Sequence, residues 1–170
     1  NYGARQDLKA ALVDDNVVVN NDQFSKYLTH GLHHVDYDAV IQRAIGLGLD
    51  NSDNCKVKLI FVPSYLKGDD GIFNMSYYDL LIGLDFSAFP SYYEPWGYTP
   101  LESIAFKVPT ITTDLAGFGK YTEVLLENSK PVTILHRTDS NYFEVVEKFA
   151  DAAAYYANQS PEQAQIDRNA

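Results

Sequence analysis

The stretch PSYYEPWGYTPLES, residues 90–103, contains the strongest structural signals in the chain. It begins as a loop rich in aromatic rings, with one glycine and a carboxylate at Glu94, and it enters a helix at Thr99 and Pro100. Thr99 suits an N-cap, and Pro100 suits the first helical position. Glu102 follows Thr99 by three residues and completes a capping box. We therefore expect a helix to start at Thr99.

The residues before this loop, DFSAFPS at 85–91, predict a strand, because Phe86, Ala88 and Pro90 alternate with Ser87 and Phe89. Strand, loop and helix start thus follow one another. In an open α/β sheet, ligands bind outside the carboxyl ends of the strands, and free amides at a helix start favour a phosphate. A capping box taken alone is usually structural, so the aromatic and acidic loop carries the functional hypothesis.

Outward from this loop, strands alternate with helices from Lys56 onward. This order predicts an α/β fold with a Rossmann-like parallel sheet and helices on both faces. The further predicted strands are KVKLIFVP (56–63), PTITTD (109–114) and PVTILHR (131–137), and the short run at 17–19 is a weaker one. We expect a single domain over residues 1–170, with 1–30 as a poorly defined lead-in.

Three other predicted helices are defined by apolar spacing. The first has apolar residues at 40, 41, 44, 45 and 47 and ends at Gly46 and Gly48. The second, MSYYDLLIGLD (75–85), places Tyr77, Leu81 and Leu84 on one face. The third is a long closing helix before a polar tail at 160–170, and its predicted stripe comprises Phe143, Val146, Ala150, Ala153 and Tyr156.

Composition excludes several function classes. The net charge of −10 and the absence of Lys or Arg clusters argue against nucleic acid as a partner. No apolar run reaches the roughly 18 residues of a membrane span. The single cysteine, Cys55, fits a cytoplasmic setting. His30, His33 and His34 lie close together, but no Cys, Asp or Glu completes a ligand pattern, so we expect structural or exposed histidines and no metal.

The segment LAGFGKYTE contains a G-x-G motif at Gly117 and Gly119 but lacks the third glycine of a dinucleotide fingerprint. We therefore interpret these two glycines as an ordinary turn. The missing third glycine also argues against the alternative that the protein is a nicotinamide oxidoreductase.

Three stretches closely resemble the carboxyl-terminal half of glycogen synthases of the animal and fungal type, which are retaining glycosyltransferases of GT-B architecture. They are VKLIFVPSYL, YYDLLIGLDFSAFPSYYEPWGYTPLES and VPTITTDLAGFG. The likeness runs from about residue 29 to 119 and more faintly to the end. Its core, YEPWGYTP, is highly specific and contains the E-x7-E pair of this class, Glu94 and Glu102.

The resemblance implies that glucose is transferred from a nucleotide-diphosphate sugar, usually UDP-glucose, to an α-1,4-glucan with retention and without a metal cofactor. Glu94 would be the catalytic group that faces the transferred glucose. Glu102 would bind the ribose hydroxyls. The amides of Gly97, Tyr98 and Thr99 would hold the distal phosphate of the donor.

The resemblance also implies that Tyr77 stacks on the base and that residues 61–63 border it. Trp96 is interpreted as a packing anchor for the loop. The family's two basic residues that neutralise the donor phosphates, and the amino-terminal domain that binds the α-glucan acceptor, precede the matching region. We therefore expect this chain alone to be inactive.

One family feature does not match. Animal and fungal members carry a late arginine-rich helix that senses a sugar phosphate, whereas Arg168 is the only arginine in that region here. This departure argues against such regulation. The alternative function is a non-catalytic module that binds a nucleotide sugar or a glucan on the same scaffold. The sequence leaves open an oligomer and the choice between UDP and ADP.

Overall fold

The computed structural model describes residues 26–125 and 131–169. The described residues group into two compact units, 26–77 and 78–169 with its gap. The predicted strand at 17–19 lies outside the described residues.

The first unit is built around one helix, α1 (Ala39–Gly46), which follows a 3-10 turn (Val35–Tyr37). The Asp38 carboxylate caps α1, because it accepts hydrogen bonds from the amides of Val40 at 2.9 Å and Ile41 at 3.0 Å. Ile41 and Ala44 are buried with Tyr27. The helix predicted in this region is therefore confirmed.

The strand predicted at 56–63 is not formed in the described part of the chain. The segment makes one isolated parallel bridge, between Leu28 and Phe61. There the Phe61 amide donates to the Tyr27 carbonyl at 2.6 Å. Val57 and Ile60 are exposed. The apolar run is therefore not buried on both faces, as a central parallel strand would be.

The histidine cluster separates into one structural residue and two exposed ones, as expected. His30 Nε2 lies 3.5 Å from the Asp70 carboxylate, whereas His33 and His34 are exposed. The Asp70 side chain is only 1% exposed. Burial tends to raise its pKa, but hydrogen bonds from three amides outweigh burial and lower the pKa of Asp70 below its ordinary value of 3.8. The donors are the amides of Ile72, Phe73 and Asn74.

The second unit contains a three-stranded parallel sheet in the order β1 (Ser87–Ala88), β2 (Thr110–Thr113) and β3 (Val132–Leu135). Ala88 pairs with Ile111, and Thr113 pairs with Leu135. These strands lie within the three stretches predicted at 85–91, 109–114 and 131–137. The helices, in chain order, are α2 (Tyr77–Leu81), which begins at the boundary between the units, α3 (Tyr98–Ala105), α4 (Gly117–Leu125), α5 (Tyr142–Ala157) and α6 (Pro161–Asn169).

Helices cover the sheet on both faces. Ile111 of β2 packs in a buried cluster with Val145 of α5. The next residue back, Thr110, points to the opposite face, since successive side chains of a strand alternate. There the hydroxyl of Ser87 lies 3.0 Å from that of Thr110 and 2.6 Å from that of Ser103 on α3. The predicted α/β fold with a parallel sheet is thus confirmed.

The buried stripe of α5 differs from the predicted one. Phe143 is 81% exposed and Val146 is 46% exposed. The residues that pack against β2 and β3 are Val145, Phe149, Ala152 and Tyr156. Two neighbouring stripes of this helix are apolar, so helical spacing cannot distinguish them. Packing on the sheet selects the stripe that begins at Val145.

The helix predicted at 75–85 is also shorter than expected. Leu81 is buried at the end of α2, whereas Leu84 is exposed beyond the helix end.

The segment predicted as a polar tail forms α6. Ser160 starts it, because its hydroxyl accepts from the Gln163 amide at 3.2 Å. Asp167 is buried in the last turn. Its carboxylate accepts three side-chain hydrogen bonds of 2.6–2.7 Å, from Tyr155, Gln159 and Gln163. These contacts explain why a strongly polar sequence is helical here.

The same helix also binds distant parts of the chain. The Arg168 guanidinium donates to the carbonyl of Leu84 at 2.6 Å and to that of Lys107 at 3.2 Å. The Lys107 ammonium in turn donates to the Asn169 side chain at 2.8 Å. The single arginine of this region therefore has a structural role.

The lowered pKa of Asp70 predicts a defined loss of stability in acid. Because the folded state favours the charged carboxylate, its contribution is complete well above pH 3.8 and is lost as the pH falls through the lower folded-state pKa. Asp70→Asn should lower the free energy of unfolding at pH 7, and the difference from wild type should shrink below about pH 4. Urea unfolding between pH 3 and 7 measures this, with the exposed neighbour Asp69→Asn as control. A difference that does not change with pH would contradict the assignment.

Candidate functional site

The loop between β1 and α3 is fixed by main-chain bonds to the start of α4. The Glu94 amide donates to the Leu115 carbonyl at 3.3 Å, and the Gly117 amide donates to the Glu94 carbonyl at 3.1 Å. The Phe118 amide donates to the Trp96 carbonyl at 2.6 Å. The first two amides of α4 thus bind the loop, while the Glu94 side chain stays exposed.

The entrance of the loop has two further anchors. The Thr113 hydroxyl, at the end of β2, donates to the Ser91 carbonyl at 2.8 Å. Arg137, two residues after β3, donates from Nη1 to the Pro90 carbonyl at 2.8 Å. Our sequence interpretation missed Arg137. The signal that could have found it is its place just after a strand, at the sheet edge where ligands bind.

Trp96 anchors the loop by packing, as expected. Its ring meets Phe118 edge-on, with centroids 6.1 Å apart, and lies tilted against Tyr121 at 5.5 Å. Both partners belong to α4.

The interpretation of Gly117 and Gly119 as an ordinary turn is wrong, because both lie in the first turn of α4. A Cβ at Gly117 would lie 2.3 Å from the Pro95 carbonyl oxygen. One at Gly119 would lie 2.1 Å from the Thr113 carbonyl oxygen. The two glycines therefore permit a close approach of α4 to the loop and to β2.

The start of α3 also differs from the prediction. Gly97 is the N-cap, with φ 99° and ψ 78°, and makes no side-chain cap. The helix begins at Tyr98, so Thr99 is its second residue and cannot be the N-cap. Glu102 is then the fifth helical residue, beyond the third position that a capping box requires. The left-handed conformation of Gly97 turns the chain into the helix earlier than the threonine signal suggested.

Main-chain donors at the start of α3 lie beside a carboxylate. Within residues 26–125 and 131–169, the amides of Gly97, Tyr98 and Thr99 donate to no protein acceptor. The Tyr98 side chain is 70% exposed. Glu94 Cγ lies 3.4 Å from the position that a Cβ on Gly97 would take. The structure thus brings the Glu94 carboxylate next to a helix start whose amides have no protein acceptor in the described ranges.

Glu102, one turn further along α3, is half-buried and makes a side-chain hydrogen bond with Tyr78. The negative charge of Glu102, and a side-chain hydrogen bond between the two groups, raise the pKa of Tyr78. The Tyr78 ring also stacks on Phe106, with centroids 5.1 Å apart. Tyr78 therefore contacts α3 through its hydroxyl and contacts the residue that follows α3 through its ring.

The predicted base-stacking residue, Tyr77, is the first residue of α2 and the last of the first unit. Its side chain is exposed. Residues 61–63, predicted to border the base, are half-buried in the same unit. Glu94, Glu102 and the amides at 97–99 all belong to the second unit.

In residues 26–125 and 131–169, no group of three or more His, Cys, Asp or Glu side chains could hold a metal ion. No helix in the same ranges combines the length and apolar character needed to cross a membrane.

Fold and loop together define a class of protein: a Rossmann-like α/β domain with an aromatic and acidic loop at the carboxyl ends of the strands of a parallel sheet. The chain matches the family model described as glycogen synthase over residues 6–170, and it belongs to the glycogen synthase family.

Similar proteins come from fungi and animals. The chain is 34% identical over 146 residues to glycogen [starch] synthase isoform 1 of Saccharomyces cerevisiae, an alignment covering 84% of this chain and 21% of that protein. It is 31% identical over 153 residues to glycogen [starch] synthase of Caenorhabditis elegans, covering 89% of this chain and 23% of the other. The human liver glycogen [starch] synthase is 36% identical over 95 residues, covering 56% and 14%. The chain thus spans about a fifth of the length of the first two relatives.

Because α4 approaches the loop closely at Gly117, one added methyl group there should lower stability, whereas the same change at an open glycine should not. Gly117→Ala should lower the free energy of unfolding by about 1–3 kcal/mol, because the Cβ would collide with the Pro95 carbonyl. Gly46→Ala, in α1, is the matched control, since a Cβ there meets nothing within 4 Å and should be neutral or stabilising by up to about 1 kcal/mol. Urea unfolding compares the two variants. Equal effects would refute the close-approach role.

Proposed function

We propose that this chain is the donor-binding part of a glycosyltransferase that moves glucose from UDP-glucose to an α-1,4-glucan with retention. The observation that supports this most directly is the helix start at residues 97–99, whose amides have no protein acceptor in the described ranges, beside the exposed Glu94 carboxylate. Membership of the glycogen synthase family supports the reaction class.

The donor diphosphate would bind at the start of α3. Unpaired amides and the positive end of the helix dipole both favour an anion there. The chain as a whole has a net charge of −10, so a local main-chain site is a reasonable way to hold a phosphate. We assign the distal phosphate to the amides of Gly97, Tyr98 and Thr99.

The ribose would bind Glu102. A carboxylate that accepts from two sugar hydroxyls makes charge-assisted hydrogen bonds. The hydrogen bond with Tyr78 orients this carboxylate before a ligand arrives, or is exchanged for a ribose hydroxyl when it does. We assign the base to the exposed ring of Tyr77.

Glu94 would face the transferred glucose. Its main chain is held by the pairing with α4, while its side chain is free to approach a sugar. A carboxylate fixed in this way can stabilise the positive charge that develops on the sugar in an oxocarbenium-like transition state.

Turnover also requires groups to meet the charge of the leaving diphosphate and to exclude water. We propose that both come from an amino-terminal domain, which would also bind the α-glucan acceptor, and that this chain alone is inactive. No metal is required in this scheme. We place the enzyme in the cytoplasm, which the single free Cys55 fits.

The donor assignment predicts nucleotide selectivity. The full-length gene product should bind UDP more tightly than ADP in calorimetric titrations, and UDP-glucose should be the better donor. Tighter ADP binding would change the donor but keep the reaction class. No binding of UDP would contradict the proposal.

The role of Glu94 predicts a loss of turnover without a loss of binding. Glu94→Gln in the full-length gene product should lower kcat by about 100-fold or more, since a charge that stabilises the transition state is removed. Its UDP dissociation constant should stay within about threefold of wild type. Glu147→Gln, an exposed change on α5, serves as control. Comparable losses of kcat and UDP affinity would remove Glu94 from the chemical role. A wild-type protein that binds UDP-glucose but never transfers glucose would indicate a binding module.

A further inference from the structure

Arg137 lies against the entrance of the Glu94 loop. Its side chain is largely buried, and the residue is only 8% exposed. Nη1 donates to the Pro90 carbonyl at 2.8 Å, and Cζ lies 3.4 Å from the centre of the Tyr92 ring. The guanidinium therefore combines one hydrogen bond and one cation–π contact on the loop.

The main chain that carries Arg137 is itself fixed at the sheet edge. The Arg137 amide donates to one oxygen of the Asp114 carboxylate at 2.9 Å, and His136 Nδ1 lies 3.3 Å from the other oxygen. The Asp114 amide donates to the Leu135 carbonyl at 3.1 Å. Arg137 thus follows β3 closely in the chain, and its amide is bonded to the residue that follows β2.

The contacts of Arg137 complete a two-sided support for Glu94. On the carboxyl side, the loop is bound to α4 through the carbonyls of Glu94 and Trp96. On the amino side, Arg137 binds Pro90 and Tyr92, and Thr113 binds the intervening residue. Glu94 therefore lies between the Arg137 contacts on one side and the bond of Trp96 to α4 on the other.

The chemistry of the contact requires arginine. A planar guanidinium can stack on a ring and donate in its own plane at once, whereas an ammonium cannot do both in this way. Lysine would keep the charge but lose the stacked, bonded geometry.

We propose that Arg137 is a positioning residue for the transfer reaction, in that it holds the loop entrance so that the Glu94 carboxylate meets the sugar in a fixed place. This inference rests on the function proposed above. A displacement of about 1 Å in a reacting group can cost on the order of 100-fold in rate.

The test uses the full-length gene product with UDP-glucose and a glucan acceptor. Arg137→Lys and Tyr92→Ala should each lower kcat by at least about tenfold, with KM and the UDP dissociation constant within about threefold of wild type. Tyr92→Phe keeps the ring and should stay within about twofold. Arg43→Lys, the same exchange at an exposed site on α1, is the matched control. The Arg137→Lys, Tyr92→Ala double variant should be no worse than the poorer single variant, because Tyr92→Ala removes a contact that Arg137→Lys has already removed.

Amide hydrogen exchange supplies a second readout that does not depend on activity. In Arg137→Lys, amides at 91–97 should exchange at least about tenfold faster than in Arg43→Lys, while those of β2 stay unchanged. Unchanged kcat, or losses that add in the double variant, would overturn the proposal. So would faster exchange throughout the unit with normal kcat per folded molecule. If wild type transfers no glucose, the proposed function fails separately, and local loosening at 91–97 then decides whether Arg137 holds the loop.

Discussion

The main-chain pairing between Glu94 and the segment that leads into α4 is the constraint on which the rest of the site depends. It uses only amides and carbonyls, so it leaves the Glu94 side chain uninvolved. Such pairing is possible only because Gly117 lets the two backbones approach closely. The structure thereby holds a loop firmly and still leaves Tyr93 and Glu94 exposed to solvent. Rigid main chain with accessible side chains is what a binding or catalytic loop needs.

Two helix starts meet this loop, and they use their amides differently. The first amides of α4 donate hydrogen bonds to the carbonyls of Glu94 and Trp96. The start of α3 leaves the amides at 97–99 without a protein acceptor in the described ranges. Both helices carry the same kind of positive end. The two helix starts therefore differ in whether their first amides are bonded within the protein, a distinction that the sequence motif alone does not provide.

The order of strand, loop and helix at residues 85–105 could be predicted, because it follows from local alternation and from turn and helix-start residues. The strands at 110–113 and 132–135 followed from β-branched runs for the same reason. Features decided by tertiary contact could not be predicted. Helical spacing allowed two stripes on α5, and only the sheet selected Val145. Thr99 had the chemistry of a cap, but the backbone of Gly97 turned first. The contact of Arg137 with Tyr92 joins residues 45 positions apart, which no local pattern reports.

The contacts of α6 affect which parts of the sequence around the sheet can be substituted independently. Arg168 binds the carbonyls of Leu84 and Lys107, which stand three residues before β1 and β2 respectively. It therefore links the segments that lead into the amino ends of β1 and β2, whereas the loops that carry Glu94 and Arg137 leave from the carboxyl ends of the strands. These Arg168 hydrogen bonds involve neither loop. Substitutions in the loops at the carboxyl ends of the strands can therefore accumulate without removing the Arg168 contacts at the amino ends.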